Sequence, residues 1–356
     1  MIDSQDYHSA TGRPLVASTS DTRSLIVVRK RWTGATGWSD AIQKFYESAA
    51  NSFSRAALLE ISVSGLSALR NANQELKAVA YRTGSMSDLV ILVNHSICWW
   101  ALWPTLRRLK REGATVVLCM HEHEHILGMT YARRNLGALS WQEVLRHSRL
   151  YHGLAAKQAS RVLVLAEAQA AVLGIDNAIR CSYLPVDSKL FPPDINRRHP
   201  EGGQPVVLFA HDQKRFDKGH RFVAPVRDIL GNSVIWNYGR EKNLPFDQVY
   251  RKYWGADILF LPSDWESYSL VFIEALACNK FIVCSPQVGA ARLLLAKYST
   301  DELAAAGVYV ALHEVNGYAA AIDLARARVV RGELAHTRKL FEEFSFDRSQ
   351  LPLSLI

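Results

Sequence analysis

Three hundred and fifty-six residues, 49% hydrophobic and 21% charged, make about two ordinary domains of ~150 residues, each with enough apolar material for a core. That balance excludes a disordered or fibrous chain. Forty-two Lys and Arg against 34 Asp and Glu leave a formal charge of +8, which suits nucleotide phosphates, acidic lipid headgroups or nucleic acid without choosing among them.

Residues 1–23 carry Asp3, Asp6 and Pro14 without an apolar core, so a mobile tail is predicted and neither a secretory signal nor a transit peptide is read. Short apolar runs then alternate with helix-like segments. In the first half the predicted strands are 25–28, 58–63, 89–93, 115–119 and 161–165, and their continuous apolar character fits a parallel sheet buried on both faces. The stretch 183–200, with Pro185, Pro192 and Pro193, resists both helix and central strand and sets the domain boundary. Strands follow at 205–211, 233–238, 258–262, 281–285 and 308–311, then a helix from about Tyr318 to Val330 capped by Asn316, and a helical stretch 334–344 before an apolar end. The expected organisation is a tail (1–23), a Rossmann-like domain (24–184), a second one (185–330), and a C-terminal helix and tail (331–356) folding back on the first. Both halves are α/β and doubly wound, with a ligand expected in a crevice at the carboxyl ends of the strands. Five cysteines without a CxxC pair, mostly in apolar runs, point to a reducing, cytoplasmic setting. The apolar stretch 89–103 is interrupted by Asn94, His95 and Ser96 and falls short of the ~20 residues of a spanning helix.

The segment from Pro262 to Cys278 leaves a strand, turns through polar residues and enters an apolar helix. Ser267 or Ser269 can cap that helix, and its free amides and positive dipole end favour a phosphate. Glu266 lies in the loop and Glu274 one to two turns into the helix, so two carboxylates at different heights can hold the hydroxyls of a sugar nucleotide. Glutamates eight apart also occur without function, one of them simply stabilising a helix start. Lys218-Gly219, after the first strand of this half, adds cations at the same rim, able to neutralise a diphosphate without a metal.

The order Leu184-Pro-Val-Asp187 with Phe191-Pro192, Lys218-Gly219, Pro262-Ser263 and the Glu266 to Glu274 pair resembles the retaining GT-B glycosyltransferases of family four, the glycosyl transferases group 1, over most of residues 183–312. The resemblance implies two Rossmann-like domains of the GT-B fold. It implies a diphosphate contact for Lys218, a ribose contact for Glu274 and a catalytic contact with the transferred sugar for Glu266. Backbone amides of Ser267, Tyr268 and Ser269 would serve the donor. The sequence departs from the family pattern in having Ala210-His211-Asp212 where Gly-Arg is usual, which makes Lys214 and Arg215 the candidates for a second diphosphate cation. It also has Val288-Gly-Ala-Ala-Arg292 in place of Gly-Gly-x-x-Glu.

In the amino-terminal half, the glycine-bearing loop 31–38 follows the first strand, and Gly34 and Gly37 there can approach a phosphate or acceptor or simply form a strand-to-helix turn. His121, after the 115–120 run, matches the family's crevice histidine and is implied to be catalytic. It opens His121-Glu-His-Glu-His125, where His residues two apart on an extended strand would share a side; no third ligand cluster accompanies them, so no metal is assigned. Trp99, Trp100 and Trp103 beside Arg107, Arg108, Lys110 and Arg111 have the composition of a membrane-interface helix, or of a packed helix with a basic end.

The function these readings favour is transfer of a sugar, without metal or other cofactor, from a nucleotide-diphosphate sugar to a glycan or lipid-linked acceptor. It would serve cell-surface polysaccharide or lipopolysaccharide synthesis, in the cytoplasm and peripherally on an anionic membrane surface. The alternatives are a GT-B sugar-nucleotide epimerase and a non-catalytic basic binding protein; no reading helix or stacking platform supports nucleic acid.

Overall fold

The computed structural model describes residues 23–30, 53–63, 65–120, 124–176, 178–180, 186, 188–194, 203–211, 216–238 and 248–344. They form two compact units, the first ending before and the second beginning at Pro185.

The first unit is built on a six-stranded parallel sheet. Its strands are β1 (Ser24–Lys30), β2 (Arg55–Ile61), β3 (Leu89–Asn94), β4 (Thr115–Met120), β5 (Arg161–Val164) and β6 (Ala178–Arg180). The spatial order is β2-β1-β3-β4-β5-β6. Every residue of β3 is buried, as a strand covered on both faces requires. Helices Leu66–Arg82 and Ser96–Arg111 supply part of the cover. The second buries Cys98, Trp99, Leu102, Leu106 and Leu109, a stripe at helical spacing.

That stripe corrects the interface reading in part. Trp99 belongs to the core and cannot enter a membrane. Trp100 and Trp103 are partly buried, and their indole N–H groups donate to the Tyr151 carbonyl and the Gln158 side chain. Arg108 pairs with Glu112, Lys110 donates to the Gln158 carbonyl, and Arg107 lies over the Trp103 ring.

The second unit carries β7 (Val206–Leu208), β8 (Ile235–Asn237), β9 (Ile258–Leu261), β10 (Phe281–Cys284) and β11 (Val308–Val310), again parallel, in the order β11-β10-β9-β7-β8. Both sheets thus wind outward from a point where the chain reverses direction, between β1 and β3 in one and between β7 and β9 in the other. Two such α/β Rossmann-like units in tandem are the GT-B fold class.

Some predicted boundaries moved. Strand β6 was not foreseen, because three residues give too short an apolar run to read. The helix predicted from Tyr318 begins at Val315 with Glu314 at its cap, so Asn316 lies inside it. The stretch 334–344 condenses into a four-residue helix, Arg338–Phe341, and a single turn, Glu342–Phe344. The described part of this segment rests on the second unit, and the tail 345–356, expected to fold back on the first, lies outside the described residues. Arg338 donates to the Phe191 and Ala277 carbonyls, Thr337 Oγ1 to the Lys280 carbonyl, and the Phe344 ring meets Tyr268 edge-on. The four described cysteines, Cys98, Cys119, Cys278 and Cys284, are buried thiols outside any disulfide.

Candidate functional site

In an open parallel sheet, neighbouring loops separate to opposite faces at the reversal point and leave room for a ligand at the carboxyl ends of the strands. In the second unit the loops flanking that point are 209–218 after β7 and 262–269 after β9. Two glycines bring backbone unusually close there. Gly219 has φ +71°, and a Cβ on it would overlap the Pro262 carbonyl. A Cβ on Gly289 would overlap the Ser267 carbonyl. The second approach lets the Gly289 N–H donate to the Glu266 carbonyl (3.0 Å) and the Ala290 N–H to the Tyr268 carbonyl (2.8 Å), while the Glu266 N–H reaches the Gln287 carbonyl (3.1 Å). The loop after β9 is thereby laced to the segment after β10.

Glu266 is buried, and its Oε1 accepts from Ser263 Oγ at 2.7 Å with Lys218 Nζ at 3.2 Å and His211 Nε2 at 3.3 Å. Lys218, also buried, lies 3.5 Å from Asp217 Oδ2 as well. Burial by itself would raise the Glu266 carboxyl, but Lys218 and then His211 outweigh it and hold the group well below the ordinary carboxylate range. Burial pushes His211 in turn below the ordinary histidine range, against the pull of Glu266. At neutral pH Glu266 is therefore a carboxylate and His211 a neutral imidazole. An ionised acceptor held by the Ser263 hydroxyl and beside the Lys218 ammonium can bind a sugar hydroxyl or face developing positive charge.

Glu274 sits in the helix Leu270–Ala277, buried, where Tyr253 Oη donates to its Oε2. Burial raises its carboxyl, with Lys252 and the Tyr253 hydrogen bond opposing. The Phe191 ring lies edge-on to Tyr253 at 6.1 Å, so the Phe191-Pro192 motif supports the side chain that holds Glu274. Ser269 occupies the cap position with φ +82° and gives no side-chain cap, which corrects the capping expectation for that serine. The first-turn amides have no intrahelical partners and remain available to an acceptor.

Two further groupings brace the loop. Arg221 grips both oxygens of Asp264, whose Oδ1 also meets His313 Nε2 at 2.9 Å. The Arg292 guanidinium lies over the Trp265 ring, 3.7 Å from its centroid, and its Nη2 reaches the Glu266 carbonyl at 3.3 Å.

Of the sequence candidates, Lys218, Glu266, Ser267, Tyr268, Ser269 and Glu274 lie on these elements; Glu266 and Lys218 touch, and Tyr268 is buried against Phe344. His121, Lys214, Arg215, Gly34 and Gly37 lie outside the described residues. For the histidine run, β4 ends at Met120 and a helix starts at Glu124, so His125 is helical, buried and packed against the tilted His152 ring, centroids 4.8 Å apart, not on an extended strand. No grouping of three or more metal-ligating side chains occurs among the described residues. Sequence reading missed His211 and Tyr253 as site residues and gave Ser263 only as part of a motif; His211 was visible only as a departure from the family pattern.

Residues 234–325 match the family model of glycosyl transferases group 1. No curated protein matches the chain. Among solved structures, sucrose-phosphate synthase from Thermosynechococcus elongatus is similar at 16% identity over 93% of this chain and 97% of that one, TM-score 0.62. Anabaena HepE in complex with UDP is similar at 11% identity over 94% and 98%, TM-score 0.61. A glycosyltransferase from Rickettsia africae is similar at 11% identity over 94% and 96%, TM-score 0.58.

Proposed function

With a group 1 glycosyltransferase segment spanning 234–325 in a GT-B fold, we propose that the chain is a retaining, nucleotide-sugar-dependent glycosyltransferase. The observation that carries this is the ionised Glu266 held by Lys218, Ser263 and His211 at the reversal point of the sheet, eight residues before a buried Glu274. In this reading the donor diphosphate draws on the Lys218 ammonium and the amides at the start of the 270–277 helix. Glu274 takes the ribose hydroxyls, and Glu266 orients the sugar as the glycosidic bond to phosphate lengthens and positive charge grows at the anomeric carbon. HepE, a structural neighbour, was solved with UDP and glucose, in keeping with a nucleotide and a sugar as ligands. Lys218→Ala is expected to weaken nucleoside-diphosphate binding by ~1.5–3 kcal/mol, the worth of a charged hydrogen bond. Calorimetry with UDP, GDP and ADP checks this, and no binding of any of the three to the unaltered protein would refute the reading.

In this reading the Lys218 ammonium and the helix amides stabilise the leaving diphosphate without a metal, so turnover is expected to survive EDTA. Loss of activity on chelation with recovery on adding manganese or zinc would show the opposite.

The proposed acceptor is a glycan or lipid-linked sugar of cell-surface polysaccharide or lipopolysaccharide synthesis, reached from the cytoplasm with the protein peripheral on the inner membrane face. No helix among the described residues is long and apolar enough to cross a membrane. Attachment would use Trp103 with Arg107, Arg108, Lys110 and Arg111, of which Arg107 and Arg111 have no ion-pair partner among the described residues. Each cation near such a surface contributes ~1 kcal/mol, and salt screens it. Sedimentation with anionic vesicles should therefore weaken with salt and with Gln at these four positions; equal sedimentation with neutral vesicles would remove the attachment.

A further inference from the structure

Arg292 lies in the short helix Gly289–Leu295 that follows β10. It is half-buried, clamped between the Trp265 ring and the Glu266 carbonyl. A guanidinium has five N–H donors, and one of them is used here. Among the described residues no carboxylate pairs with it. The Glu266 carboxylate, whose carbonyl Arg292 meets, is committed to Lys218 and Ser263. Burying a cation costs free energy that a counter-charge normally offsets, and burial here lowers the guanidinium's proton affinity with no carboxylate to restore it. Stacking and a carbonyl fix the fork in place and leave its other N–H donors without an acceptor among the described residues.

We propose that Arg292 is a specificity residue whose missing counter-charge is an oxyanion, a carboxylate or a phosphate, carried on the sugar brought to Glu266. The fork geometry matches both groups, since either accepts two parallel N–H bonds from one guanidinium. The inference rests on the glycosyltransferase reading and adds to it the class of sugar: a sugar acid or a sugar phosphate rather than a neutral hexose. A lysine would supply the charge without the fork or the stacking on Trp265.

Ligand-observed NMR titrations of the full chain test this with two matched pairs. Glucuronate 1-phosphate against glucose 1-phosphate isolates a carboxylate, and glucose 6-phosphate against glucose isolates a phosphate. The anionic member of at least one pair is expected to bind about tenfold tighter, and the pair that responds identifies the group. Arg292→Gln should bring that ratio close to one, and Arg292→Lys should lower it. Lys218→Ala should weaken both 1-phosphates alike and leave their ratio intact. Ratios near one in the unaltered protein, or a ratio that persists in Arg292→Gln, overturn the proposal; the first result decides even if the variant fails to fold. Nucleoside diphosphates binding normally while both ratios are flat would strike this inference alone, whereas their failure to bind would strike the glycosyltransferase reading.

Discussion

Gly289→Ala is expected to cost ~3 kcal/mol, the upper end of ordinary overpacking, because the added carbon would overlap a carbonyl oxygen rather than a movable side chain. In a unit of this size that is a fall of roughly 6–12 °C in the unfolding midpoint. The clash falls on Ser267, between Glu266 and the helix start, so relief requires the loop after β9 to move away from the segment after β10. Nucleoside-diphosphate binding should fall with stability. A variant with an unchanged midpoint in differential scanning calorimetry would mean that the two segments are not laced as described.

Neutralising the two glutamates is expected to have opposite effects. The Glu266 carboxyl is depressed in the fold, so its contribution to stability is present above its ordinary value of 4.5 and is lost as pH falls through the lower folded value. The Glu274 carboxyl is raised, so its contribution is present below 4.5 and is lost as pH rises through the higher folded value. At pH 7, Glu266→Gln should therefore destabilise the protein, leaving buried Lys218 with Asp217 alone. Glu274→Gln should leave stability unchanged or raise it, since an amide oxygen still accepts from Tyr253. Function should separate them differently. Glu266→Gln is expected to lower turnover about 100-fold or more, on the scale of losing one electrostatic stabiliser. Glu274→Gln should mainly weaken nucleotide binding. Urea midpoints at pH 5 and pH 7 beside kcat and KM settle the matter; equal destabilisation by both at pH 7 would contradict the ionisation states assigned here.

Much of the fold was legible because a strand buried on both faces is a continuous apolar run, as Leu89–Asn94 and Phe281–Cys284 are. Strand β6 and the entry to β2 escaped because Ala178-Ile-Arg180 is too short and Arg55-Ala-Ala57 too weakly apolar to stand out. Lys218, Glu266 and Glu274 were legible because resemblance marks positions along the chain. Tyr253 and His211 were not. An apolar tyrosine in a short helix and a histidine just past a strand carry no local signal, and each acquires its role only when another crossover brings a glutamate to it. Arg292 was visible only as a departure from the family pattern, since its stacking partner lies in another loop.

The spread of the Glu266 contacts along the chain also bears on folding kinetics. Its partners come from the segment after β7, its own loop after β9 and the strand-like contact with Val288 after β10, so the site closes only when three non-local strand connections are in register. Contacts of that kind are entropically expensive to form early and tend to lie on the native side of the folding barrier. A ligand bound there should slow unfolding while leaving the refolding rate nearly unchanged.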